Sequence, residues 1–328
     1  MNTRICLLVP FVLLGALSAA AATDPAFTAK TGSTVELSKS GGKFDFLRID
    51  AKNHRLLASH EEAGTADIVD LKSTRLLKTI KVGAAVDTAI DPESKIYYVS
   101  VQEEKRVAVI DAETLVEKGS IPTPGPTDAI LFNPTNRMVY VTFDGGDAVW
   151  VIDPKAAKIT ATIPVAGVPE FMVYDAEANR IYLNLKSKNV VAVIDPVSNK
   201  VAAQWGTAPA TAPHGLALDS ANHQIFSAGG NGKLVAIDTT NGTVTATADI
   251  TAKVDQIAFD AGSGLVYCAG PARMSVVMAA PGKLAVAGSI VTFPSARNVA
   301  VDLETHAVWT TYTDGKSSFA TSWLQAKP

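Results

Sequence analysis

The chain has 328 residues, is 47% hydrophobic and 19% charged, and carries a formal charge of −3. That is the composition of a folded globular chain and excludes an intrinsically disordered one. With no basic excess and no Lys/Arg run, capture of nucleic acid or anionic membrane by overall charge is not expected.

The first residues form a unit of their own. Arg4 precedes an apolar run over 5–19, and the small residues of 19–22 suit signal peptidase. A run this short reads as a cleaved export signal, residues 1–22, rather than a membrane span. The expected mature chain, 23–328, is one domain with no transmembrane segment, sent to the periplasm or secreted. Cys6 would leave with the signal, and a lone Cys268 cannot close an internal disulfide. Next comes "STVELS" (33–38), a strand-like segment with no hairpin partner beside it.

From about residue 44 the chain repeats itself. "RMVYVTFDGGDAVWVIDPKAAKI" (137–159) is nearly restated as "RIYLNLKSKNVVAVIDPVSNKV" (180–201). The polar residues Asp50, Asp91, Asn133, Asp175, Asp219, Asp260 and Asp302 recur at spacings of 41, 42, 42, 44, 41 and 42. Seven residues after each stand Leu57, Tyr98, Tyr140, Tyr182, Phe226, Tyr267 and Trp309. About twenty residues after the first five origins come Asp70, Asp111, Asp153, Asp195 and Asp238. Three columns on one period define seven units, starting near 44, 85, 127, 169, 213, 254 and 296.

Each unit contains four β-branched or aromatic runs joined by short polar connectors such as "DPVSNK" and "TTNG". The twelve Asp/Asn of the two polar columns are expected to fix turns through side-chain bonds to backbone, not to act as catalytic carboxylates. Four antiparallel strands per ~42-residue unit is the arithmetic of a propeller blade. The last unit supplies only three strands, and 33–38 is expected to be its fourth, closing the ring. The predicted fold is an all-β, seven-bladed β-propeller, and the chain is expected to be monomeric.

The "RMVYVTF", "RIYLNL" and "KIYYVSV" segments, each followed by "VAVID" or "VWVID", resemble the YVTN-repeat, YncE-like β-propellers of bacteria. The resemblance spans residues ~31–328, though 212–328 carries "FSAGG", "VYCAG" and "VWTTY" instead of the repeat core. It implies an exported seven-bladed propeller whose relatives are mostly binding proteins, with DNA binding among them. Nucleic acid enters as a partner through that resemblance alone, since basic and aromatic residues are nowhere interleaved as in single-strand binders.

Signatures of nucleophile elbows, zincins, haem attachment and Walker loops are absent. "SAGGNGKL" (227–234) reads as a hairpin turn. His54, His223 and His306 sit at one equivalent turn position, expected to be exposed, and His60 stands alone.

One column differs. Five residues before each origin stand Asp45, Val86, Asp128, Glu170, His214, Asp255 and Arg297, with Asp87 and Asn298 one place on. Innermost propeller strands line a central channel, so these residues are expected to converge at its mouth as a ligand-binding ring. The loops "HEEAG" (60–64), "QEEKR" (102–106), "DGGD" (144–147), "KSKN" (186–189) and "DGK" (314–316) should border the same face. Crowded carboxylates need compensation, which leaves three readings open. One is a solvated vestibule balanced by Arg297 and His214. Another is a site for a cationic or polyhydroxylated ligand. The third is a divalent cation, Ca²⁺ or Mg²⁺, held by Asp45, Asp128, Glu170 and Asp255. The corresponding functions are a binding or scaffold protein for a small molecule or protein, a metal-dependent hydrolase or lactonase with His214 as acid/base, and a nucleic-acid or cell-envelope interaction module.

Overall fold

A computed structural model of the chain describes residues 27–325. The expected export signal, 1–22, lies outside them. Among the described residues no helix is long and apolar enough to cross a membrane.

Seven four-stranded antiparallel sheets make up the molecule. Their innermost strands are Leu47–Asp50, Ala85–Asp91, Thr127–Asn133, Pro169–Asp175, Pro213–Asp219, Gln256–Asp260 and Ala300–Asp302. In the first six blades the strands pair in sequence order. The seventh ends with Ser318–Gln325 and takes Ala29–Ser38 as its outermost strand, with Val35 opposite Ala320 and Glu36 opposite Phe319. The orphan segment read from the sequence therefore closes the ring, as predicted, and starts four residues earlier than 33. Val35 and Leu37 bury against Trp309, Ala320, Leu47 and Leu56, so the closing strand joins the last blade to the first.

The strand sequences follow from position. In the fourth blade the middle strands Arg180–Leu185 and Val190–Asp195 are buried along nearly their whole length, because neighbouring blades cover both faces. The outer strand Lys200–Gly206 alternates half-buried and exposed, as an edge facing solvent must. The aromatic column lies between blades: Tyr140, Tyr182, Phe226 and Tyr267 are no more than 1% exposed.

All twelve Asp/Asn of the polar columns do cap turns. Asp91 Oδ1 accepts from the backbone N–H groups of Glu93 and Ser94, Asp175 Oδ1 from Glu177 and Ala178, and Asp111 Oδ1 from Glu113 and Thr114. The other nine accept from the second or third residue after them in the same way. The chain then passes through a left-handed residue four places after the carboxylate, which is where His54, His223 and His306 stand, at φ 51°, 50° and 58°. Several of these carboxylates also hold the next blade. Tyr97 Oη donates to Asp50, Arg137 Nη2 to Asp91 and Ser220 Oγ to Asp175, and His306 Nδ1 lies 2.9 Å from Asp260. An Asp in that turn thus serves twice, folding its own hairpin and pinning a neighbour. His60 is fully buried, stacked at 3.8 Å on Phe44 with Asp67 at 3.5 Å, where the first blade meets the closing one.

Candidate functional site

The inner strands all start on one face, and this brings Asp45, Asp128, Glu170, His214, Asp255 and Arg297 together. Direct contacts run across blades: Arg297 Nη2 is 2.8 Å from Asp255 Oδ2 and His214 Nε2 is 3.7 Å from Glu170 Oε1. Loops from the second hairpins close over them as anticipated. Lys186 Nζ reaches Glu170 at 3.2 Å, and Lys43 Nζ bridges Asp45 at 3.0 Å and Glu61 at 2.6 Å. Asp144 joins the same face and accepts from Gln102 Nε2 at 2.8 Å.

Two residues assigned to the ring lie elsewhere. Asp87 is wholly buried one layer below, where both its oxygens meet Arg48, at 2.8 Å and 2.6 Å. It also accepts from the backbone N–H of Thr88 and Ile130. The mouth position of the second blade is Val86. Asn298, 3% exposed, donates to the Asp45 carbonyl and to Thr311, holding the seventh blade to the first. Both side chains are bound into the wall by partners that a one-place shift in sequence could not reveal.

Electrostatics at the mouth is set by burial and crowding. Asp45 is pushed up to about 8, chiefly by burial, with Lys43 opposing and Asp255 adding to the rise. Glu170 is raised to about 7 by burial, against the pull of Lys186. Asp128 is held well above the ordinary carboxylate range by burial and then by Asp45, Glu170 and Asp144. Burial brings His214 down to about 4, so its imidazole is neutral at pH 7. Lys43 is raised despite its own burial, because Asp45 and Glu61 hold its charge. Asp128 alone among the ring acids makes no salt bridge or hydrogen bond to the described residues. No three His, Cys, Asp or Glu side chains among those residues are gathered closely enough to hold a metal ion. Asp45, Glu170 and Asp255 turn instead to Lys43, Lys186 and Arg297.

Beneath the acids the channel is interrupted. Phe46 of the first blade and Phe171 of the fourth meet edge to face, with ring centroids 5.0 Å apart, and the Arg48 guanidinium lies 4.2 Å above the Phe171 ring. Gln256 of the sixth blade bonds both the N–H and the carbonyl of Leu47. The mouth is therefore a recess with a floor rather than the entrance to an open bore. Lys43 and Arg48 were not singled out from the sequence, and Lys186 entered only as part of the rim loop "KSKN" (186–189), with no partner assigned. Arg48 carried a signal: it is the only charge in a column otherwise made of Ala89, Leu131, Val173, Ala217, Ala258 and Ala300.

The family model for a domain of unknown function, DUF5074, matches residues 73–272, which include the whole of the second to fifth blades. The chain belongs to the DUF5074 family. No curated protein matches this DUF5074 chain. A solved chain of the hydrazine synthase of Kuenenia stuttgartiensis is similar to it in fold, with a TM-score of 0.75 over 88% of this chain and 97% of that one. At 15% identity the likeness extends to the propeller architecture of the DUF5074 protein and no further.

Proposed function

We propose that this protein is an exported, YncE-like, non-catalytic binding propeller whose channel mouth takes a positively charged, amine-bearing ligand. The observation that carries the reading is Asp128: a carboxylate inside a crowd of acids, with neighbouring cations committed to other partners. A ligand ammonium seated there would meet Asp128 directly, with Asp45, Glu170 and Asp144 around it. Each charge-assisted hydrogen bond in such a recess is worth roughly 1.5–3 kcal/mol, or about ten- to a hundredfold in affinity. A neutral His214 beside Glu170 adds no positive charge, and an arriving cation can displace protons from the crowded acids, which favours a cation over an anion. The same acidity opposes nucleic acid at this face.

The test is isothermal titration calorimetry with spermidine at low salt and neutral pH. Because Asp45, at about 8, and in part Glu170, at about 7, hold protons there, cation binding should release protons, and the heat should change with the ionisation enthalpy of the buffer. Asp128→Asn should weaken spermidine at least tenfold while leaving the folded state intact by circular dichroism. Equal affinity in parent and variant, or no binding at low salt, would overturn the proposal.

A further inference from the structure

The mouth is one basic side chain short. Asp45 is matched by Lys43, Glu170 by Lys186 and Asp255 by Arg297, whereas Asp128 has no basic partner among the described residues. The repeat shows what would match it. Eleven residues after the capping residues Asn133 and Asp175, the third blade has Asp144 where the fourth has Lys186. From that rim position Lys186 Nζ reaches Glu170 at 3.2 Å. The equivalent place in the third blade holds a second carboxylate, which accepts from Gln102 and is near enough to hinder ionisation of Asp128. A lysine entering at the level of Asp144 would complete the third blade as Lys186 completes the fourth.

Beside that entry the surface is mostly main chain. An open groove of about 480 Å³ runs between the hairpin tip 145–147 and the connector 166–168. One wall begins next to Asp144 and the other ends two residues before Glu170, so the groove leads from the rim to the ring. Packing keeps side chains out of its walls. A Cβ on Gly146 would stand 2.0 Å from the Phe143 ring, and one on Gly167 would stand 2.8 Å from Lys188 Cγ. Gly145 and Ala166 are exposed, and the N–H and carbonyl of each make no hydrogen bond to the described residues. Free main-chain donors and acceptors suit an extended chain, which bonds through its own backbone and leaves a side chain to fill the neighbouring pocket. A free polyamine would use the acids but not the groove.

We propose that this groove seats an extended stretch of another polypeptide, one lysine of which reaches past Asp144 to Asp128. The amine of the mouth's ligand is then a lysine side chain, a step that rests on the amine reading of the mouth.

Three probes separate the contributions in calorimetry on the full chain at low salt: acetyl-Gly-Ser-Lys-Ser-Gly-amide, the same peptide with Met in place of Lys, and Nα-acetyl-lysinamide. The Lys peptide should bind one to one, at least tenfold tighter than Nα-acetyl-lysinamide, which lacks the flanking backbone, and at least tenfold tighter than the Met peptide. Asp147→Trp fills the groove from an exposed position, and Asp147→Asn removes the same charge without filling it. In Asp147→Trp the Lys peptide should fall to the level of Nα-acetyl-lysinamide, while spermidine binds as it does to Asp147→Asn. Thermal denaturation checks that both variants fold. A Lys peptide no tighter than either other probe, or unchanged in folded Asp147→Trp, with spermidine still bound, would overturn the groove and leave the amine reading standing. No binding of spermidine or of any lysine compound would overturn the amine reading and the groove with it.

Discussion

Removing the Arg48 side chain tests how strongly the hub depends on one ion pair. Asp87 is fully buried, while Arg48 keeps 24% of its side chain exposed. The two partners should therefore respond unequally to loss of the other. Arg48→Met strands a carboxylate in the interior with only the N–H groups of Thr88 and Ile130 to stabilise it. Breaking a buried pair from that side costs about 3–5 kcal/mol. For a chain of this size that is a fall in Tm of about 10 °C, at roughly 2–4 °C per kcal/mol. Asp87→Asn leaves a cation that can turn to water, and retains an oxygen for one backbone donor. Its cost should be about 1–2 kcal/mol. Adding Asp87→Asn to Arg48→Met should recover part of the loss, since the stranded charge is gone. The assay is reversible urea unfolding followed by tryptophan fluorescence, with the cycle of single and double variants giving the coupling. If Arg48→Met proved no more costly than Asp87→Asn, the claim that Asp87 is the desolvated partner would be refuted.

Other outcomes follow from the same geometry. Asp45 and Glu170 have folded-state pKa values of about 8 and 7, above those of an unfolded chain, so the folded state binds the extra protons. Their contribution to stability is present at low pH and lost as pH rises through 7 to 8; His214, lowered to about 4, works in the opposite sense only below its ordinary pKa of 6.5. Stability measured by urea unfolding should thus decline from pH 6.5 to 8, and Asp45→Asn should flatten that decline. Leu37→Asp, which puts a charge into the seam of the closing strand, should lower stability by several kcal/mol, about 3 or more, seen as a large drop in Tm. Cys268 is completely buried and its thiol is pushed far up by burial, so in a Cys6→Ser background it should resist Ellman's reagent until the wheel unfolds. Rapid labelling of the native protein would show that the sixth blade opens on its own.

The wheel was legible because its determinants are local and periodic. A turn needs an Asp at its start, an interblade seam needs a large side chain, and both recur every ~42 residues. Tyr140 and Tyr182 occupy equivalent places in equivalent blades, so finding one locates the other. The mouth was legible only as a set of positions. Which acids carry counter-charges depends on Lys43, in the connector before the first blade, and Lys186, at a hairpin tip, and neither belongs to a repeating column. Asp87 shows why a one-place shift misleads. Beside Val86 it resembled a displaced mouth acid, yet its direction is fixed by Arg48, 39 residues earlier in the preceding blade.

Periodicity also explains where chemistry can sit in such a molecule. Positions that every blade fills alike serve closure: the capping Asp, the aromatic seam, the alternating outer edge. Closure leaves no freedom there, because a change in one blade disturbs its contact with the next. Individuality is greatest where seven strands meet on the axis, since a residue on the axis faces six different partners rather than copies of itself. Phe46 against Phe171, Arg48 against Asp87, and Gln256 against Leu47 each break the sevenfold pattern in this way. Together they place side chains across the axis beneath the acidic mouth. Substitutions that restore the pattern, such as Phe171→Ala together with Arg48→Ala, should therefore open the floor of the mouth. Spermidine would then lose its floor, while the outer strands and turns keep their register; calorimetry with spermidine, beside far-UV circular dichroism, reads that separation directly. Loss of the blades themselves in this variant would mean that the axis holds the wheel together, not only its ligands.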